Sequence, residues 1–553
     1  MLREYQLTNF KAFAGPETIP IRPITLIYGP NSSGKSSVLQ SLLLLKQTLQ
    51  EAENSEVLLL PKGNLVNLGG YREFVHRHDV SKSFSFKFLL DLDKQGFEKL
   101  LPNNLIETPL LGLHIAFTYD RQISNVVFSS MELFIGDDSS PLAIYKPKKR
   151  DLVRVELTGF SETILQLDHI NYEHNLWQAW WKNFSRSLLR NREQVTKMRF
   201  RFFNFNKNNQ GWETRLPTEL FNIQKSIKND LERADEQYKG YIQSLNNKLF
   251  EVESLIQFWQ HFEDFSFEKA IEDLSKSTQY SLLASRNFLP IKTIPIQAEI
   301  SPNPELLLIY QQLWKPDFSE LTLLACSRFR RFLESLIYIG LLRDYPERIY
   351  ILSGNLSKEV GKSGKMLPDV LFKNPDLLKQ VNEQFERFKL GYELKVSSFT
   401  DETSEISDLF ALRLVDKDTG VNVSLQDVGF GISQVLPILV QSMLSRNSTL
   451  LIEQPEIHIH PRLQAELGSL LAECIKPPFE NQFIIETHSE HLMLRLQKLI
   501  RKGKLKPEDV SVIYVDRTPE GSKCLHLRLD EEGDFIDEWP DGFFEEDFNE
   551  IFN

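Results

Sequence analysis

The sequence predicts an α/β fold in which both ends of the chain build one head around a phosphate-cradling loop, with a mostly helical insertion between them. Three observations carry this. Ile24-Thr25-Leu26-Ile27-Tyr28 reads as a buried strand that runs through a glycine loop into an apolar helix over 36–50. Near the other end, Thr449-Leu-Leu-Ile-Glu453 reads as an apolar strand ending in a carboxylate, and Phe483-Ile-Ile-Glu486-Thr487-His488 as another ending in Thr-His. Between them, from about residue 164, the apolar period turns from strand-like to helix-like.

The loop is Gly29-Pro30-Asn31-Ser32-Ser33-Gly34-Lys35-Ser36, followed by Ser37, and it fits G-x-x-x-x-G-K-[ST]. Glycines there let several backbone N–H groups converge on one anion. The N-terminus of the following helix adds partial positive charge at the same place. Lys35 suits the β- and γ-phosphates of a nucleotide, and the Ser36 hydroxyl suits Mg²⁺. ATP and Mg²⁺ are the expected cofactors.

At 553 residues, 41% hydrophobic and 25% charged, the chain has ample core and length for more than one domain. A net charge of -12 excludes a generic polyanion binder, so any contact with DNA must come from a local patch. Cys326, Cys474 and Cys524 lie far apart with no CxxC spacing, which fits a reducing compartment and excludes a cysteine-based zinc site. The charged start leads into no long apolar run, and no run is long enough to cross a bilayer. A cytoplasmic chain without signal peptide or membrane contact is expected.

Taken in order, Tyr5 to Phe13 opens as a short strand and turn, and Gly63 to Asp79 as loop plus a helical turn. Ser83 to Asp91, Leu111 to Tyr119, Val126 to Ile135 and Leu142 to Tyr145 read as strands. Asn171 to Arg201 and Thr218 to Phe262 read as helix, the second as a helical hairpin or short coiled-coil arm. Lys182 to Lys207 interleaves arginines with phenylalanines, which suits either a nucleic-acid face or a solvated helix on an apolar stripe. Leu321 to Leu342 reads as one apolar helix, and Leu390 to Val396 and Phe410 to Val415 return to strand.

A second chemical cluster follows. Asp427 to Gln434 holds a glycine turn, Gly429 and Gly431, with Ser433 and Gln434 opening an apolar helix over 435–444. That makes a second anion site by the same reasoning. Glu453, at a strand tip, suits Mg²⁺ held directly or through water. Glu456, His458 and His460 alternate on extended chain and form an alternative metal set. His488, just past the tip of the next strand, is placed to hydrogen-bond a γ-phosphate.

Together these residues resemble the ATP-binding-cassette (ABC-type) P-loop ATPases of the RecF, SMC and OLD kind. Leu7-Thr-Asn-Phe-Lys-Ala-Phe13 is similar to their first strand and turn. Gly429 to Gln434 looks like a divergent signature motif, and Glu453 to Pro461 like the Walker B and D-loop of the OLD-like group, with Septu-type defence ATPases among its relatives. His488 matches the switch histidine, and Asp530 to Phe544 resembles a C-terminal segment of one branch. The resemblance implies two heads closing head to tail around two ATPs, each ATP between the loop of one subunit and the signature turn of the other. It implies a homodimer or higher homo-oligomer and an effector such as a nuclease, in defence against phage or in DNA maintenance.

In that group the residue after the Walker B acid is usually a glutamate that activates water; here it is Gln454. Glutamine can orient water but cannot take its proton, so hydrolysis is slow or uses Glu456 or His488. A non-hydrolysing scaffold, locked by ATP, is the alternative. The stretch after His488 holds no Asp-x-Asp, so the chain is not expected to be a nuclease itself. His76 and Asp79 lie where a Q-loop would fall. The expected organisation is an N-terminal lobe at 1–150, the insertion at 151–334, a C-terminal lobe at 335–515 and a tail at 516–553.

Overall fold

The structure, a computed structural model, describes residues 1–52, 57–91, 110–136, 138–147, 163–171, 173–177, 212–233, 242–246, 249, 253, 282–294, 318–354, 357–399 and 408–540. It divides into two units. One comprises Met1–Asn171, Ser281–Pro295 and Pro316–Asn553; the other comprises Tyr172–Tyr280 and Ile296–Lys315.

The first unit opens with the antiparallel pair β1 (Leu2–Thr8) and β2 (Glu17–Pro20). β3 (Ile24–Tyr28) is buried at every residue and passes into α1 (Lys35–Glu51). A short α2 (Tyr71–Phe74) leads to β4 (Phe84–Asp91), which pairs with β1. Leu2 and Tyr5 are three apart yet both buried, because this ladder shifts register between Leu2 and Glu4. β5 (Leu110–Asp120), β6 (Asn125–Ile135), β7 (Ala143–Pro147), β8 (Thr163–Ile170), β9 (Leu282–Arg286) and β10 (Leu289–Ile294) continue it as one antiparallel sheet, ordered β10-β9-β8-β7-β6-β5-β4-β1-β2. Many of the phenylalanines go here: Phe84 stacks on Phe117, Phe117 on Phe128, and Phe10 packs edge-on to Phe86.

Residues 163–170, 282–286 and 289–294 are strands within the insertion expected over 151–334, so the turn to helix does not come at residue 164. Thr163-Ile-Leu-Gln-Leu-Asp-His-Ile170 has a period of two, with Leu165 and Leu167 buried, and it finds an open sheet edge to pair with. Lys182 to Lys207 lies outside the described residues.

α4 (Phe318–Ser335) also departs from expectation. The predicted helix over 321–342 stops at Ser335, and Leu336-Ile-Tyr-Ile339 is β11 (Leu336–Ile339), buried at all four positions. It pairs in parallel with the strand at Thr449–Glu453, so sheet pairing outweighs the local helical pattern. A small antiparallel sheet follows: β12 (Tyr350–Ile351), β13 (Tyr392–Ser398), β14 (Leu409–Asp416) and β15 (Asn422–Ser424), with α5 (Leu367–Lys373) and α6 (Pro375–Phe388) between its first two strands.

The remaining elements complete the head. They are α7 (Phe430–Leu444), β16 (Thr449–Glu453), α8 (Pro461–Cys474), β17 (Gln482–Glu486), α9 (Glu490–Arg501), β18 (Val510–Arg517) and β19 (Ser522–Leu527). Its sheet runs β11-β16-β17-β3-β18-β19, parallel except for β19. β3, from the start of the chain, thus stands between two strands from its end. Gln482 fastens the same junction, accepting from Leu2 N–H at 3.2 Å and donating to Leu2 O at 2.8 Å. Among the described residues no helix is long and apolar enough to cross a membrane.

In the second unit, α3 (Trp212–Arg233) is the main described element. The helix begins earlier than the predicted start at Thr218, and Gln224 and Lys228 on it both bond Glu253.

Candidate nucleotide site

The loop after β3 is held in a shape that only its own residues allow. Gly29 has φ +138°, and a Cβ there would sit 2.3 Å from the Val515 carbonyl oxygen. Gly34 has φ +108°, and a Cβ there would sit 2.7 Å from the Ala12 Cβ. The loop is therefore pressed between β18 and the turn after β1. Ser522 donates to the Ser33 carbonyl. The Ser33 hydroxyl is buried with no partner among the described residues, and Ser36 and Ser37 sit in the first turn of α1. Lys35 is 4% exposed and donates to the carbonyls of Gly29 and Pro30, both at 2.9 Å. Burial lowers its pKa, against the pull of Glu486 and Glu456.

Beside this loop lie the tips of β17 and β16. Pro30, Asn31, Gln454 and His488 line a cavity of about 450 Å³, a volume in the range of small-ligand sites. Asn31, in its lining, and the next residue, Ser32, are exposed. Burial lowers the His488 pKa and the Lys35 charge lowers it further, both favouring the neutral imidazole.

Glu453 ends β16, and the Tyr338 hydroxyl beside its carboxylate favours the charged form. Burial raises its pKa and the neighbouring Glu486 adds to the rise. The next residue, Gln454, has φ +40°, in the left-handed region that side chains seldom adopt. Its N–H donates to the Glu486 carbonyl at 2.8 Å, and its side-chain amide reaches Glu486 Oε1 at 3.5 Å. Glu456 accepts from the Thr487 hydroxyl and from His488 N–H, both at 2.7 Å. Both of its oxygens are engaged, so it clasps the histidine turn.

His460 caps α8 by accepting from Arg462 N–H at 3.2 Å, and His458 packs edge-on to Phe430 with ring centres 5.1 Å apart. Among the described residues no group of three or more His, Cys, Asp or Glu could hold a metal, so Glu456, His458 and His460 do not make one. Of the signature turn, Gly429 and Phe430 are exposed. Gly431 packs against the His458 carbonyl. Ser433 and Gln434 are buried on the first turn of α7, the Ser433 hydroxyl donating back to the Phe430 carbonyl. This turn does not line the loop's cavity. His76 bonds the Lys11 carbonyl and Asp79 bonds Ser81, and neither lines it either.

Residues 1–493 match the family described as AAA ATPase domain. The chain belongs to that family. Membership implies nucleotide binding, as the loop geometry does. Residues 505–553 match a second family, described as a protein of unknown function (DUF3696). No curated protein matches the chain. Among solved structures the chain is similar to the Smc head domain with an extended coiled coil bound to the C-terminal domain of ScpA from Pyrococcus furiosus. That likeness has 11% identity and a TM-score of 0.35, over 95% of this chain and 96% of that one. It is also similar to the SMC head domain from Thermotoga maritima, at 9% identity and a TM-score of 0.34, over 96% of this chain and 99% of that one.

Sequence reasoning overlooked three residues that the structure brings to this loop and its neighbouring strand tips. Glu486 is 3% exposed, and its Oε2 has no partner among the described residues. The sequence pointed to the Thr-His that follows it, and its place between Glu453 and the loop depends on β17 lying between β16 and β3. Tyr338 and Arg343 come from β11 and the turn after it, a strand whose parallel pairing no local pattern announces. Arg343 is 6% exposed and donates to the Glu453 carbonyl at 2.9 Å. Burial lowers its pKa to about 10, against the pull of Glu456 and Glu453.

Proposed function

We propose that the chain is an ATP-hydrolysing switch of the ABC type, whose heads pair on ATP and govern an effector. The observation that carries this is the cavity shared by Pro30, Asn31, Gln454 and His488, with Lys35 in the first turn below. The triphosphate would lie along the loop from Gly29 to Ser37. Lys35 would leave the Gly29 and Pro30 carbonyls for the phosphates, an exchange of neutral acceptors for charged ones. The Ser36 hydroxyl and Glu453 carboxylate are oxygen donors and fit Mg²⁺. That ion would neutralise charge on the β- and γ-phosphates. Catalysis of this kind is mostly positioning. Gln454 would orient the attacking water, and neutral His488 would accept a hydrogen bond or the proton. Glu456 would act through His488, since its own oxygens are occupied.

Gly429, Phe430 and Gly431 would meet the γ-phosphate held by a second copy, with Ser433 and Gln434 supporting the turn from within. The resemblance to OLD-like and Septu-type ATPases supports a nuclease or other effector as partner, in phage defence or DNA maintenance. A second reading, an ATP-locked scaffold, is favoured by Gln454, which cannot take a proton.

The test is ATP hydrolysis by the purified chain with light-scattering mass in parallel, and Lys35→Ala as control. Turnover and ATP-dependent doubling of mass, both lost with Lys35, are expected. ATP-dependent dimers without turnover would establish the scaffold. Neither turnover nor a mass change would sink the switch.

A further inference from the structure

Arg343 sits beneath the strand tip that carries Glu453 and Gln454. Its Nη2 donates to the Glu453 carbonyl at 2.9 Å and touches the Gln454 carbonyl at 3.5 Å. Its Nε and Nη1 are buried and meet no acceptor among the described residues. A buried cation with unmet N–H groups is a poor device for stability, because an apolar side chain of like volume often serves better. Something other than packing must explain this one.

Gln454 supplies the explanation. Its backbone is in the left-handed region at φ +40°, in a non-glycine residue. Such a turn persists only when its surroundings over-determine it. Glu486 holds its N–H and side-chain amide from one side, and Arg343 holds the Glu453 and Gln454 carbonyls from the other. The side chain so fixed is a wall of the cavity that also contains Asn31 and His488.

We propose that Arg343 is a positioning residue for hydrolysis. It fixes the turn of Glu453 and Gln454 so that the Gln454 amide stays at the cavity wall, where the attacking water is oriented. This rests on the ATPase reading above. Both carbonyls meet the one Nη2, whose two N–H directions are fixed by the planar guanidinium; a lysine ammonium in its place keeps the charge but is shorter and lacks that fixed plane.

The experiment compares four forms of the full chain: wild type, Arg343→Lys, Gln454→Ala and the double variant. It reads kcat and KM for ATP, ATP affinity by calorimetry, and peptide-level hydrogen exchange over 449–460. Arg343→Lys is expected to lower kcat about ten- to a hundredfold while ATP affinity changes less than about twofold. Exchange over 449–460 should quicken. In the Gln454→Ala background the same change should cost less than about a further twofold, because the two act through one side chain. Equal factors in both backgrounds, a matching loss of ATP affinity, or unaltered exchange would each overturn the proposal. Should Arg343→Lys not fold, Arg343→Gln, which removes the charge and ends short of both carbonyls, stands in under the same criteria. Wild-type turnover that survives Lys35→Ala would overturn the reading of the site instead, and the exchange comparison would still decide the role of Arg343.

Discussion

Two carboxylates three residues apart, Glu453 and Glu456, look alike in sequence and are used differently. Glu453 keeps its carboxylate at the strand tip beside the Tyr338 hydroxyl, whereas Glu456 spends both oxygens on the Thr487–His488 turn. Replacing Glu456 by Gln sets an amide N–H against one of those donors, and we expect a loss of about 1–3 kcal/mol. Burial raises the Glu456 pKa, so its contribution to stability is complete below the ordinary carboxylate range and is lost as pH rises through the raised value. The variant lacks that titration. Urea denaturation should therefore show a larger deficit at pH 5 than at pH 8, and an equal deficit would refute this account. His488 shifts the other way. Its pKa is lowered by burial and then by Lys35, so any stability linked to it is present above its ordinary value and lost as pH falls through the lowered one. Its ring resonances should titrate below the usual histidine range, and Lys35→Ala should move the midpoint upward.

The loop between β3 and α1 was the most legible element, because its chemistry is local. The strand, the glycines, Lys35 and Ser36 follow one another within a few residues, and a motif of that kind needs no tertiary knowledge. The turn after β11 was illegible for the opposite reason. Leu336 to Ile339 continues an apolar helical pattern, and only pairing with a strand over a hundred residues later makes it β and brings Tyr338 and Arg343 to Glu453. Gln434 shows a third case: its place beside a glycine turn suggested a ligand contact, but its position on α7 turns it inward at 2% exposure. At this scale Gly29→Ala is a sharp test. The φ of +138° and a Cβ only 2.3 Å from the Val515 oxygen leave no relaxed conformation, so a loss of about 3 kcal/mol or more is expected in thermal unfolding. The final segment offers a milder one. Trp539 packs edge-on to Tyr28, at the end of β3, and to Phe535 and Tyr514. Its ring is only half-buried, so Trp539→Ala should cost roughly 2 kcal/mol, below the range for fully buried rings.

At the scale of the whole molecule, the head's sheet interleaves strands from opposite ends of the chain. β3 has β17 on one side and β18 on the other, and both are parallel to it. A parallel strand inside a sheet leaves every backbone donor and acceptor unmet when its neighbours are missing. The first 171 residues therefore contain the complete loop motif yet lack the strands that hold it. β8 and β9 pair antiparallel across residues 171–281, so both ends of that excursion leave the same sheet. Production of 1–171 alone should give a chain with no cooperative unfolding and no ATP binding. Production of 1–171 together with 282–553 should give two pieces that co-purify, melt in one transition and regain ATP binding, because the β3 ladder and the Gln482–Leu2 bonds form between pieces as readily as within one chain. Cooperative unfolding of 1–171 by itself would show that the N-terminal lobe does not depend on its distant partners. Failure of the two pieces to associate would show that the connection through 172–281, and not the ladder, brings the ends together.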